Sequence, residues 1–121
     1  MKLYDAELKI MDVLWREGSI TAKRVSEILK EQIGWSKTTT YTVLKKCVEK
    51  GAIERREPHF VCHPLVTIDE VREYETTALI KKMYSGSADM LVASMLGQGM
   101  LEDTRRLKQI IAEMDEKESE A

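Results

Sequence analysis

Proline and glycine are scarce in this chain, two and six residues among 121, so long irregular connections are not expected. Cysteine is scarce too. Cys47 and Cys62 are too few for a disulfide scaffold, and nothing around them suggests an oxidising compartment. Cys47 falls in an apolar slot of a helical pattern, where a thiol packs as a small hydrophobe. No apolar run approaches the ~20 residues that span a bilayer, so no membrane association is expected. The opening MKLYDAELKIMDVLWREGSI is broken by acids and is not expected to be a signal peptide, which makes the cytoplasm the expected compartment. No phosphate loop, H-E-x-x-H or nucleophile elbow is present, so neither an enzyme nor a cofactor is expected.

What is present is a helix-leaning globular composition, 43% hydrophobic and 33% charged, which excludes a disordered chain. The net charge of −2 argues by itself against nucleic acid, but its distribution does not. Residues 1–64 carry twelve Lys/Arg against nine Asp/Glu, and residues 65–121 carry seven against twelve. Within 36–56 six bases (Lys37, Lys45, Lys46, Lys50, Arg55, Arg56) face two acids (Glu49, Glu54). A basic patch on an acidic protein is sufficient for binding phosphate.

The pattern along the chain predicts a first helix over 5–17, with a polar stripe at Asp5, Lys9, Asp12 and Arg16 and apolar residues elsewhere. Gly18 ends it, and Thr21 caps a second helix whose inner side carries Ala22, Val25, Ile28 and Leu29. Ser36 caps a third, TTTYTVLKKCVEK, which stops at Gly51. Leu44, Cys47 and Val48 point inward there, with Thr40 and Val43 near the same face. Thr38, Thr42, Lys45 and Glu49 lie on the other, with Lys37 and Tyr41 beside them. AIERREPHFVCHPL then reads as two short strands joined at Glu57-Pro58-His59. Three helices and a hairpin give the order of a winged helix-turn-helix. The expected fold is mostly α with a small β-hairpin: a winged-helix domain over 1–66 and a helical dimerisation arm over 67–121.

In the arm, Thr67 to Glu70 is a capping box that opens a helix running to about Tyr84. Ser85-Gly86 breaks it, Ser87 caps a shorter helix, and Gly97 and Gly99 interrupt again. The last helix is expected to fray into a charged tail. Five of seven methionines (Met83, Met90, Met95, Met100, Met114) fall in this arm. A methionine stripe is commonly core. These few amphipathic helices cannot close a core alone, so their cheapest burial is against a second copy. Tyr74, Ile80, Met83, Leu91, Met95, Leu107, Ile110, Ile111 and Met114 are the expected dimer contacts.

Three threonines opening a helix cost propensity, because β-branched side chains lose rotamer freedom there. They supply small hydrogen-bonding groups at the end of a recognition helix that enters the major groove. Lys37, Lys45 and Lys46 would release counterions from phosphates, and Arg55 and Arg56 on the following strand would reach adjacent phosphates. Double-stranded DNA is therefore the expected partner, bound through the third helix and the hairpin.

LYDAELKIMDVLW, ITAKRVSEIL, WSKTTTYTVLKKCVEKGAIERR and the Tyr74-to-Tyr84 arm together resemble the penicillinase and methicillin-resistance repressors, the BlaI/MecI/CopY family. The family's first-helix pattern falls on Glu7, Ile10, Met11, Leu14 and Trp15. The resemblance implies a dimeric winged-helix repressor of a palindromic operator, with Thr38, Thr39, Tyr41 and Thr42 at DNA-contacting positions. β-Lactam-responsive members are cleaved at an Asn-Phe bond, where this chain has Ser94-Met95. Copper-responsive members carry a four-cysteine tail that this chain lacks.

Two other readings compete. A winged helix can serve protein–protein contact alone, in which case binding to DNA would show no steep salt dependence. A metal-sensing module would draw on His59, Cys62 and His63, but strand alternation sets Cys62 on the opposite face from His63. A core cysteine between surface histidines is the simpler arrangement, and no metal site is expected.

Overall fold

The computed structural model describes residues 1–120. Its elements run α1 (Asp5–Glu17), β1 (Ile20–Thr21), α2 (Ala22–Ile33), α3 (Lys37–Glu49), β2 (Ile53–Arg56), β3 (Val61–Pro64), α4 (Ile68–Met83), α5 (Ala88–Gly97) and α6 (Arg105–Glu120). The fold is mostly α with a small antiparallel sheet, in the winged helix-turn-helix order expected from sequence. The sheet has three strands rather than two, in the order β1-β3-β2. The extra strand is only Ile20-Thr21, paired to Cys62 and Val61. Two residues are too few to carry a strand period, so this one was invisible in the sequence.

The caps fall where the sequence puts them. Thr21 Oγ1 accepts from the Arg24 N–H at 3.1 Å, and Ser36 Oγ accepts from the Thr39 N–H at 3.1 Å. Thr67 and Ser87 do the same for Glu70 and Met90. Each satisfies a backbone donor that the first helical turn leaves open. Gly51, at φ 81°, turns the chain out of α3 into β2 in a conformation that penalises a Cβ.

The chain separates into two compact units, Met1–Thr76 and the portion from Thr77 onward. The division falls inside α4, not at its start. Val71 is buried with the core of the first unit, and Trp15 Nε1 donates to the Val66 carbonyl at 2.9 Å. These contacts bring the first turns of α4 into the N-terminal unit. Its core is built on α1, where Ile10, Met11, Val13 and Leu14 are almost fully buried. Val25 and Leu29 of α2, Val43, Leu44 and Cys47 of α3, and Ile53 and Cys62 of the sheet complete it. Burial pushes the Cys47 thiol up to about 12 and the Cys62 thiol up to about 11, so both behave as packing groups rather than nucleophiles.

Helices α5 and α6 hold no fully buried residue. The last helix does not fray after Met114 as expected but continues to Glu120. Its final residues include Glu and Lys, which favour the helix without needing burial. Ala121 lies outside the described residues.

One buried charge stands out. Glu7, 3% exposed, receives the Tyr4 N–H at 2.7 Å and Lys50 Nζ at 2.6 Å, both on Oε1. Lys50 Nζ also donates to the Lys2 carbonyl at 3.1 Å and sits 4.3 Å from the Tyr4 ring centroid. The start of α1 is thereby clamped to the end of α3. Burial raises the Glu7 pKa, but the Lys50 and Tyr4 hydrogen bonds and the charges of Lys50 and Lys46 outweigh it and hold the carboxyl below its ordinary range. A folded-state pKa below the unfolded value contributes stability above the ordinary carboxylate range, lost as pH falls through the folded value. Glu7→Gln should therefore cost about 2 kcal/mol in urea unfolding at pH 7, less than the ~3–5 kcal/mol of a fully buried pair because Lys50 keeps some access to water. The difference from the parent protein should shrink below pH 4; a constant difference across pH would contradict the ionic role.

Candidate nucleic-acid interface

Helix α3 is divided lengthwise. Thr40, Val43, Leu44 and Cys47 are buried against the core, while Lys37, Thr38, Thr39, Thr42, Lys45 and Lys46 are exposed. Lys37, Thr38, Tyr41, Thr42 and Lys45 line one shallow surface depression, which puts most of the expected contact row on a single face. The absence of an acid in the first turn leaves the positive end of the helix dipole unopposed.

The hydroxyls of that row are not equivalent. Thr42 Oγ1 donates to the Thr38 carbonyl at 2.9 Å, so its proton is engaged within the helix and its oxygen remains an acceptor. Thr39 Oγ1 accepts from Ser36 Oγ at 3.0 Å and belongs to the cap. Thr38 is exposed, with no partner for its hydroxyl among the described residues. Thr40 is fully buried, and its hydroxyl finds no partner there either.

Tyr41 is half-buried and does more than face outward. Its ring meets Phe60 edge to face, with centroids 5.9 Å apart and planes at 89°. Lys37 Nζ lies 5.6 Å from the Tyr41 centroid, and the Arg55 guanidinium carbon lies 3.8 Å from that of Phe60. A ladder of cation, ring, ring and cation thus joins the recognition helix to the hairpin. Phe60, a strand residue in the sequence reading, is its centre and sits at φ 49°, a left-handed conformation unusual for a bulky side chain. The Phe60 carbonyl accepts from the Ala22 N–H at 2.9 Å, which fixes the turn from the other side.

Arg55 and Arg56 do not share a face. Their cross-strand partners are Cys62 and Val61, and alternation sends the two guanidinium groups to opposite sides of the sheet. Each is also occupied: Arg55 Nε donates to Glu57 Oε1, and Arg56 Nε to Glu54 Oε1 at 2.6 Å. Those hydrogen bonds hold both carboxyls below their ordinary range. The expected basic patch is therefore smaller than its residue count. Lys50 leaves it for the Glu7 clamp, and the hairpin arginines are internally paired. Glutamates two residues from arginines on a strand are the signal that could have revealed this pairing.

His59, Cys62 and His63 are not brought together. His59 is exposed in the turn and Cys62 is buried, while His63 Nδ1 lies 2.7 Å from Ser19 Oγ. Among the described residues no group of three His, Cys, Asp or Glu side chains is placed to hold a metal. No described helix is long and apolar enough to cross a membrane. The expected dimer contacts are all solvent-accessible in the single chain. Tyr74, Met83, Ile110, Ile111 and Met114 are exposed, and Ile80, Leu91, Met95 and Leu107 are half-buried.

The penicillinase repressor family model matches residues 3–113. The penicillinase repressor of Bacillus licheniformis is 28% identical over 123 aligned positions, covering 98% of this chain and 96% of that one. The methicillin resistance regulatory protein MecI of Staphylococcus aureus is 25% identical, covering 88% and 92%. The solution structure of the DNA-binding domain of the repressor BlaI superposes with a TM-score of 0.53 at 31% identity, covering 57% of this chain and 87% of that domain. Monomeric Bacillus licheniformis BlaI, solved in complex with the blaP half-operator, gives 0.52 at 30% identity, covering 58% and 88%.

The ladder makes one prediction independent of any ligand. Phe60→Ala removes the shared ring and should cost about 2 kcal/mol in urea unfolding, from lost burial plus the edge and cation contacts. A cost indistinguishable from zero would mean that the hairpin tip and the helix are not energetically joined.

Proposed function

The chain belongs to the penicillinase repressor family, and on that premise we propose that it is a sequence-specific transcriptional repressor. It would act in the cytoplasm as a homodimer on a palindromic operator. The observation that carries this reading is the exposed row of α3. Lys37, Thr38, Tyr41, Thr42 and Lys45 share one face, on the part of the chain that resembles a domain solved on half-operator DNA. Lys37, Lys45 and Lys46 bind phosphate and set affinity. Thr38, Thr39 and Thr42 lie toward base edges; the Thr42 oxygen can accept from a base amino group, and threonine methyls suit the thymine methyl. Arg55 and Arg56 are the hairpin cations nearest in role to the flanking backbone, but each reaches a phosphate only in competition with its paired glutamate.

The division of roles is testable. Lys45→Ala should weaken operator and random duplex alike and lower the slope of log K against log salt by about one. Thr42→Ala should act mainly on the specific site, by about 1–3 kcal/mol for a lost base contact. Equal losses on random DNA from both variants would refute the assignment.

Dimerisation is proposed to use the helical arm over 67–121, through Tyr74, Ile80, Met83, Leu91, Met95, Leu107, Ile110, Ile111 and Met114. The support is apolar surface that the chain leaves in water: Met83 is 63% exposed, Met114 60% and Ile111 50%. Two-fold pairing would bury it and space two recognition helices for a palindrome. Sedimentation should give a dimer for the full chain and a monomer for residues 1–66 alone. A dimeric fragment would sink this assignment.

A further inference from the structure

We propose that Glu57 is an electrostatic brake on the hairpin, holding Arg55 in an internal pair so that DNA of any sequence attracts the protein less strongly. The inference rests on the DNA-binding reading above. Both Glu57 oxygens are committed: Oε1 to Arg55 Nε, and Oε2 to the Phe60 N–H at 3.4 Å. Arg55 is held by a second contact as well, its guanidinium carbon over the Phe60 ring. The guanidinium is thus restrained by a carboxylate and a ring, and a phosphate would have to displace or share that carboxylate.

The pair does little for the fold. Its side chains are 50% and 61% exposed, and an ion pair so open to water adds little stability. Its effect is on charge. Glu54 and Arg56 repeat the arrangement on the opposite face, so Ile53–Pro64 holds two arginines and two glutamates and is neutral with its histidines uncharged. Sequence-independent affinity for duplex DNA scales with the number of phosphates neutralised, so a self-neutralised hairpin contributes less than its arginines imply. Removing the carboxylate while keeping its shape would restore one cation to that count.

The test is Glu57→Gln, whose amide oxygen can still accept from Phe60. On a random duplex, the salt slope should steepen by about 0.9 and affinity at 0.1 M salt should rise about eightfold. The double variant Arg55→Gln/Glu57→Gln, which has the parent's net charge, should return both to parental values. An unchanged slope in Glu57→Gln, or a gain that persists in the double variant, overturns the brake. Should Glu57→Gln lose its fold by circular dichroism, the pair is structural and the proposal fails on that ground. A parent protein that binds no duplex at all would overturn the functional reading itself, a result distinct from a parent that binds while Glu57→Gln changes nothing.

Discussion

The surface chemistry of this protein depends on how α3 seats against α1. A helix turns 100° per residue, so once Thr40, Val43, Leu44 and Cys47 are fixed inside, the directions of all the others follow. Lys37, Thr38, Thr42 and Lys45 face outward because the inner row cannot rotate without losing its burial. The clamp of Glu7 by Lys50 reinforces that setting, since it ties the residue that caps the C-terminal end of α3 to the first turn of α1. Thr40 shows the cost of the arrangement. A buried hydroxyl without a partner is unfavourable by about 1–3 kcal/mol, and a run of threonines crossing a helix must send one of them inward.

The same packing decides where the charge goes. A chain of net charge −2 can attract DNA only through a local excess of cations, and the structure makes that excess narrower than the sequence suggests. Lys50 is withdrawn into the clamp, and Arg55 and Arg56 are matched by Glu57 and Glu54. What remains is concentrated on α3, with Lys37, Lys45 and Lys46 around the threonines. On the proposed function, such a surface relies more on the fit of one helix and less on broad attraction, so its affinity would be governed by few contacts. The aromatic ladder supports that fit by fixing the hairpin tip relative to the helix.

The second unit has the opposite character. Ser87 caps α5, but no described residue of this unit is completely buried, and methionine, isoleucine and leucine side chains stand in solvent. Local propensity and caps favour these helices, but helices of 10 and 16 residues are marginal in water without an apolar face packed against something. Under the proposed dimer the missing burial comes from a second copy, and folding of this unit would be linked to association. Ser94 is half-buried, with its hydroxyl 3.3 Å from the Tyr84 hydroxyl and 2.9 Å from the Gln98 amide nitrogen.

Much of this was legible in the sequence because it is local. Helix periods, four capping residues, the Gly51 stop and the inner row of α3 depend on neighbours within a turn or two. For the same reason the threonine-rich start of α3 could be read as surface chemistry. The third strand was not legible, because Ile20-Thr21 is defined only by pairing with Val61 and Cys62, some forty residues away. Nor could the sequence show Lys50 leaving the basic patch, since Glu7 and Lys50 meet only after α1 and α3 pack. Phe60 read as a strand residue, and only the turned hairpin placed its ring between Tyr41 and Arg55. Spacing determined which side chains share an element's face and set Glu54 and Glu57 two residues from their arginines; tertiary packing decided that Lys50 left the basic patch, because pairing between elements is set by distance in space and not along the chain.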